Sequence, residues 1–465
     1  MRISPPPLDI DDEEGFSPEK DLFGLTGFGL RMANLVCRID EPMVLALDSA
    51  WGSGKTTFIK QWAGHLRTAH RAPVIYFDAF ANDFQEDAFV ALAGEIIACA
   101  EKLTDEDDSP KTKFVDQAKQ AARLLLPMLT KIAIKVATLG ALSGEDLGAA
   151  ETAIKDAAND VGGLAEGVIA QRLNNSKADR ELLKEFRISL ENLALEISQS
   201  KNQESGQDFP PLVIIIDELD RCRPTFALNV LERIKHLFSV NKVVFVLVTN
   251  LDQLAGVVEH EYGIKGEGRR YLDKFITLQA QLPHEKNALN ERRDAYAKRL
   301  IEHLDMDSQA DNYLNAFKDM ATAFELNLRD MERVYSYVSL YLIDPPINFD
   351  ISPLVVGMCY LRHAHNRLFK LAHTGDLKWS EHLVGNPSGK NEGLQGFKAF
   401  AKEGTRCGDL WCITTGNESE IDAENQRLLY QALSPHFNLG TEKLLPWIAE
   451  KIDAFALRGE VPDTA

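Results

Sequence analysis

The feature that most constrains the fold is an apolar run, MVLALDSA at 43–50, followed directly by the glycine-rich sequence WGSGKTT and a helical pattern over 56–69. A compact apolar run of this length is typical of a buried strand. Glycine adopts backbone conformations that other residues avoid, so two glycines flanking one serine allow a sharp turn. The segment therefore predicts a buried strand, a curled loop and a helix that packs back on the strand.

The residue types in this loop suit an anion with several oxygens, such as a nucleotide polyphosphate. Small residues let several backbone N–H groups converge on the phosphate oxygens, and the following helix directs the positive end of its dipole at the same anion. Lys55 is predicted to reach the β and γ phosphates of ATP, and the Thr56 hydroxyl to bind Mg²⁺. The predicted nucleotide-binding residues are Trp51, Gly52, Ser53, Gly54, Lys55, Thr56 and Thr57.

One residue departs from the G-x-x-x-x-G-K-[ST] pattern, which has glycine where this chain has Ser49. A side chain at this position restricts the loop backbone. Two interpretations therefore stay open: an ATPase, and a nucleotide-gated scaffold or signalling module that holds ATP with negligible hydrolysis.

A second apolar run, at 213–216, ends abruptly in Asp217 and Glu218. In parallel sheets, ligands gather at the carboxyl ends of the strands, so we expect this pair to lie beside the loop. Asp217 is predicted to hold Mg²⁺ directly or through water. Glu218 is predicted to act as the general base that orients and deprotonates the attacking water. Lys55 completes this predicted catalytic set.

A third strand candidate, at 243–248, ends in Thr249 and Asn250. A polar side chain at the end of this strand is a candidate for holding the attacking water or sensing the γ-phosphate. The alternative for Asn250 is an ordinary residue of the turn that follows the strand.

Strand and helix patterns alternate up to residue 283, except over 104–206, which is rich in Ala, Leu, Lys and acidic residues and has no strand-like run. The predicted fold is a P-loop NTPase parallel sheet with helices on both faces, a helical insertion between the Walker A loop and the Walker B carboxylates, and an all-helical C-terminal region. The predicted units are a disordered, acidic and proline-rich tail at 1–20, the core at 21–283 with its insertion at 104–206, a helical lid at 284–350, and a C-terminal helical domain at 351–465.

Five blocks together resemble the KAP family of P-loop NTPases, a STAND-like branch related to the AAA+ proteins. The blocks are AWGSGKTT at 50–57, FDAFANDFQEDAF at 77–89, IDELDRCRP at 216–224, RYLDKF at 270–275 and LNLRDMERV at 326–334. The resemblance implies ATP binding with Mg²⁺, hydrolysis, assembly into a homo-oligomer, and a role in prokaryotic (antiphage) defence or membrane-proximal signalling. Family members usually have glycine in place of Ser49 and often aspartate in place of Glu218.

Two arginines in these blocks are candidates for sensing the γ-phosphate, whose charge in the transition state is typically met by an arginine. Arg270 would act in its own subunit or on a neighbouring one, and Arg329 resembles the second sensor in the lid. The alternative for both is an ordinary salt bridge.

Composition argues against nucleic acid as a partner, because a chain with a formal charge of −19 repels a phosphate backbone. A nucleic-acid-stimulated ATPase stays as a third interpretation, supported only by basic stretches at 292–300 and 362–370.

The insertion contains one candidate membrane segment, at 124–142, but Lys131 and Lys135 fall near its middle. Each lysine would cost about 2.5–3.5 kcal/mol in a bilayer, and their spacing is typical of the polar stripe of an amphipathic helix. We therefore expect a soluble helical hairpin in a cytoplasmic protein, with peripheral membrane association as the less favoured alternative. Protein partners are expected to bind through the insertion and the C-terminal helical half.

Overall fold

The computed structural model describes the chain in fourteen stretches separated by short and long gaps. The described residues are 10–17, 20–21, 24–85, 87–103, 109–125, 165–201, 209–283, 286–304, 310–343, 350–384, 394–402, 405–417, 421–433 and 441–453. Over these ranges the structure has one parallel sheet in the order β2-β3-β4-β1-β5. Its strands are β1 (Met43–Asp48), β2 (Val74–Asp78), β3 (Leu212–Asp217), β4 (Val243–Thr249) and β5 (Leu278–Gln281).

The three central strands are apolar at nearly every position because helices cover both faces of the sheet. Successive side chains alternate between the faces, so each strand contributes to two separate cores. The helices of this half are α1 (Thr26–Val36), α2 (Lys55–Ala69), α3 (Ala88–Leu103), α4 (Ser109–Leu125), α5 (Ala165–Lys201), α6 (Pro224–Arg233) with a π-helical continuation over Ile234–Phe238, α7 (Leu251–Tyr262) and α8 (Gly268–Leu272). Helices α1 and α2 cover one face, and α3 to α8 cover the other.

The sequence interpretation missed β5, which pairs with β1 at the edge of the sheet. Its four residues, LQAQ, are mostly exposed. An edge strand with solvent on one side needs no apolar run, and for this reason the apolar pattern that identifies the central strands did not indicate this one.

The insertion is helical in its described part, as predicted, and belongs to the main core. Helices α4 and α5 pack against each other and against α3. Phe114 of α4 and Phe186 of α5 are fully buried in the same core as the sheet. The candidate membrane segment 124–142 lies outside the described residues apart from its first two. Within the described ranges, no helix combines the length and the apolar character needed to cross a bilayer.

Residues 10–17 of the predicted disordered tail at 1–20 lie along α2. The Phe16 ring packs on Phe58, with 5.8 Å between ring centroids, and Arg67 donates a hydrogen bond to the Asp12 carbonyl (2.6 Å). Phe16 supplies an apolar anchor in a stretch whose composition otherwise indicates a flexible tail. Residues 1–9 lie outside the described part.

From residue 286 onward the described residues form helices and their connections without strands, as predicted. These helices are α9 (Lys286–Glu302), α10 (Ala310–Ala323), α11 (Leu328–Tyr341), α12 (Ser352–Ala364), α13 (Asn366–Thr374), α14 (Phe397–Phe400), α15 (Arg406–Thr414), α16 (Ala423–Leu433) and α17 (Leu444–Ile452). Buried residues from 297 to 452 form one hydrophobic core. The division at residue 350 between a lid and a C-terminal domain stays a prediction, because helices from both sides share this core.

Truncation of Phe186 tests whether the insertion is part of the core. Its ring lies 5.3, 5.5 and 5.6 Å from those of Phe89, Phe114 and Phe238. Phe186→Ala is expected to lower the free energy of unfolding by about 3–5 kcal/mol in urea denaturation, because it removes apolar contacts and leaves a cavity. Ile188→Ala, at an exposed position of the same helix, should change it by less than about 0.5 kcal/mol. Equal effects of the two substitutions would contradict this packing.

Candidate functional site

The loop after β1 curls through two left-handed glycines. Gly52 has φ +74° and Gly54 has φ +85°, a region that other residues rarely adopt. Helix α2 begins at Lys55, and no side chain caps its first turn. The first N–H groups of a helix have no acceptor within it, so these donors are available to an anion. Trp51 and Ser53 complete the loop, and Thr56 and Thr57 lie in the first turn of α2.

Ser49 fits this loop without strain. It does not adopt a positive φ, so its position does not require glycine. The Ser49 and Ser53 hydroxyls are hydrogen-bonded across the loop at 2.8 Å. The departure from the motif is therefore compatible with the curled backbone.

Lys55 folds over the loop and donates hydrogen bonds to the carbonyl oxygens of Ser49 and Ala50. Burial lowers the pKa of Lys55, whereas the charges of the nearby acids, Asp220 first and then Asp217, act in the opposite direction. A partly buried ammonium group thus lies at the anion-binding end of α2.

Asp217 lies at the end of β3, 1% exposed, beside the first turn of α2. The Thr56 side chain lies close enough to its carboxylate to lower the pKa of that group. The Tyr76 hydroxyl donates to Oδ2 (2.7 Å), and the Glu218 backbone N–H donates to Oδ1 (2.8 Å). Burial raises the pKa of Asp217, and these hydrogen bonds lower it. The structure therefore brings together the two residues predicted to hold Mg²⁺.

These two residues fit Mg²⁺ bound together with a nucleotide. A hydroxyl and a buried carboxylate supply the oxygen ligands that Mg²⁺ prefers, and such sites typically use one or two carboxylates plus substrate phosphates. Among the described residues, no group of three or more His, Cys, Asp or Glu side chains forms a self-sufficient metal site. The donor set suits a metal that the phosphates help to bind.

Glu218 has an unusual backbone and a charged partner. Its φ and ψ of 59° and 27° are left-handed, which is rare and costly for a residue with a side chain. Arg221 lies 2.8 Å from its Oε1 atom. Burial raises the pKa of Glu218, and the charges of Arg221 and Arg329 lower it. Non-glycine residues in this conformation cluster at functional sites, which agrees with the predicted position of the base.

The N-terminus of α11 packs on the phosphate-binding loop and brings Arg329 to the site. The Leu328 N–H donates to the Gly52 carbonyl (3.0 Å). Asn327 caps α11 by accepting from the Asp330 N–H (3.0 Å). The predicted lid is therefore in contact with the loop, and the charge of Arg329 acts on Glu218.

The two other predicted catalytic side chains have different surroundings. Asn250 caps α7 by accepting from the Asp252 and Gln253 N–H groups (3.1 and 3.3 Å). Arg270 is 84% exposed and lies 3.6 Å from Glu267. Within one chain Arg270 is thus not brought to the loop by an ion pair, and both catalytic assignments stay predictions.

Sequence reasoning missed two links around the site. Arg269, rather than the predicted Arg270, pairs with Asp48 (3.2 Å) at the end of β1 and with Asp252 (2.8 Å). Asp220 accepts hydrogen bonds from the Trp51 indole N–H and from the Thr249 hydroxyl (3.1 Å). The position of Asp220, shortly after the apolar run at 213–216, could have marked it as a site residue. Its partners could not be identified, because a local pattern does not show which residues the fold brings next to it.

Gly52→Ala tests the close approach of the loop and the lid. A Cβ atom at Gly52 would overlap the Asn327 side-chain oxygen and lie 3.2 Å from the Arg329 Cβ, in a left-handed conformation. We expect a loss of about 1–3 kcal/mol in stability and a lower melting temperature. Gly94→Ala, in the interior of α3 with no atom within 4 Å of the added Cβ, should raise stability by about 0.5–1 kcal/mol. A Gly52→Ala protein as stable as wild type would argue against this contact.

Comparison with known proteins identifies the family of the chain. No curated protein matches the chain. Among solved structures, the chain is similar to the ORC2 protein of Aeropyrum pernix, solved as ADPNP–ADP complexes, at 12% identity and a TM-score of 0.31 over 96% of this chain and 97% of that one. Residues 27–341 match the KAP family P-loop domain. The match covers both motifs and the lid helix α11, and the chain belongs to the KAP family of P-loop NTPases.

Proposed function

We propose that the protein binds ATP with Mg²⁺ and hydrolyses its β–γ phosphate bond. The observation that carries this proposal is that Thr56, in the first turn of α2, lies beside the buried Asp217 carboxylate at the end of β3 and lowers its pKa. Two oxygen ligands from separate parts of the chain meet next to helix N–H groups and the Lys55 ammonium. This arrangement suits a metal-bound polyphosphate.

Each residue has a distinct role in this proposal. The loop N–H groups and Lys55 bind and orient the phosphates, and Thr56 and Asp217 hold the metal. When bound, Mg²⁺ neutralises the charge that develops on the phosphate oxygens. Glu218 accepts a proton from the attacking water at its carboxylate, and Arg329 supplies positive charge from the lid. Tyr76 keeps Asp217 oriented by donating to its Oδ2 atom (2.7 Å).

Hydrolysis is proposed to drive a conformational switch through the lid. Leu328 and Asn327 contact Gly52, so a change in the loop at the phosphates would shift the N-terminus of α11. On the same helix, Asp330 lies 2.9 Å from His363 of α12, which links α11 to the C-terminal helices. The homo-oligomeric state, protein partners at the helical regions, a cytoplasmic location and a role in antiphage defence rest on composition and family resemblance.

The alternative is a nucleotide-gated scaffold with negligible hydrolysis. The specific observation in its favour is the ion pair between Arg221 and Glu218, because a carboxylate engaged by a cation is a weaker base. Phosphate release distinguishes the two functions.

Glu218→Gln is expected to lower kcat for ATP hydrolysis by about 10²–10⁴, because the amide cannot accept the proton. ATP affinity should be retained, since the loop and Lys55 are unchanged. Phosphate release and equilibrium binding of ATP are measured with Mg²⁺ and with EDTA. Hydrolysis that survives in the variant would remove Glu218 as the base, and negligible hydrolysis by wild type would favour the scaffold.

Lys55→Ala is expected to weaken ATP binding about 10- to 100-fold while the fold is retained, because it removes one charge-assisted hydrogen bond to the phosphates. Calorimetry measures affinity, and circular dichroism measures the fold. Lys298→Ala, at an exposed lysine of α9 that pairs with Glu302 (3.9 Å), is the control and should bind ATP as wild type does. Global unfolding of Lys55→Ala would identify a structural lysine instead.

A further inference from the structure

A short turn after β3 brings Arg221 back to Glu218. Leu219–Arg221 form one 3-10 turn that begins at the left-handed Glu218. The Glu218 carbonyl accepts hydrogen bonds from the Arg221 N–H (3.0 Å) and from the Cys222 thiol (3.6 Å). The turn therefore holds Arg221, three residues along the chain, next to Glu218. Its guanidinium lies 2.8 Å from Oε1, and both side chains are largely shielded, at 33% and 19% exposure.

The charges around Glu218 would displace its carboxylate without this partner. Asp217 at the end of β3 and Asp78 at the end of β2 repel it, and both act on Glu218 across a short distance. Positive charge comes from Arg221 in the turn and from Arg329 at the start of α11, with Arg221 the stronger of the two. Arg221 is thus the main group that keeps a long, flexible side chain beside two like charges.

We propose that Arg221 is a positioning residue that holds Glu218 through Oε1 and leaves Oε2 to accept the proton of the attacking water. This inference rests on the proposed hydrolysis and adds a residue that acts through the base. A planar guanidinium fixes the direction from which it approaches a carboxylate oxygen, which a lysine ammonium does not. A poorly held base loses rate because small errors in placement are costly to catalysis.

The test is steady-state and single-turnover hydrolysis of radiolabelled MgATP by the full-length chain. Arg221→Gln should lower kcat about tenfold with KM for ATP unchanged, because the loop and Lys55 still bind the nucleotide. Arg221→Lys should recover part of that loss, since it keeps the positive charge but lacks the planar guanidinium. In a Glu218→Gln background, Arg221→Gln should cause no further loss, because a residue that acts only through the base has nothing left to position.

Arg223→Gln is the matched control. It removes the same charge two residues away, where the side chain pairs with Asp83 (3.8 Å) instead of Glu218, and should leave kcat unchanged. An unchanged or higher kcat in Arg221→Gln, or an equal loss in the Glu218→Gln background, would overturn the inference while leaving the ATPase intact. Absence of hydrolysis by wild type would overturn both proposals.

Discussion

The close approach of the Thr56 side chain to the Asp217 carboxylate joins two parts of the chain that are far apart in sequence. Asp217 ends a strand whose residues are all buried, so its charge is largely removed from water and must be stabilised by nearby donors. Thr56, Tyr76 and the Glu218 N–H supply them. The same burial makes the carboxylate a strong partner for a cation, and for this reason the proposed metal site coincides with a structural contact.

The parallel sheet determines which groups meet at this place. β4 pairs with β1 on one side and with β3 on the other, and all three strands are parallel. The phosphate-binding loop, the Thr249 end of β4 and the Asp217 end of β3 therefore lie together at the carboxyl ends of the strands. Asp220 connects them by accepting from Trp51 and Thr249. The helical half then closes on the loop through Leu328 and Gly52. This contact is the route by which a change at the phosphates is proposed to reach the C-terminal helices.

Most of the core and the centre of the site could be predicted from the sequence because their signals are local. Lys55 and Thr56 follow glycines at a fixed spacing, and Asp217 and Glu218 end an apolar run. β5 escaped prediction because an edge strand is partly exposed and lacks that run. The partners Tyr76 to Asp217 and Arg269 to Asp48 escaped it because strand register and helix placement, which no local pattern encodes, bring them together.

The most direct test of the account is whether Asp217 carries the metal dependence of nucleotide binding. Calorimetric titration of ATP into wild type and Asp217→Asn, each with Mg²⁺ and with EDTA, separates metal-assisted binding from binding by the loop alone. Mg²⁺ is expected to tighten ATP binding to wild type, whereas Asp217→Asn is expected to bind ATP with one affinity in both conditions. An equal gain from Mg²⁺ in both proteins would contradict this expectation.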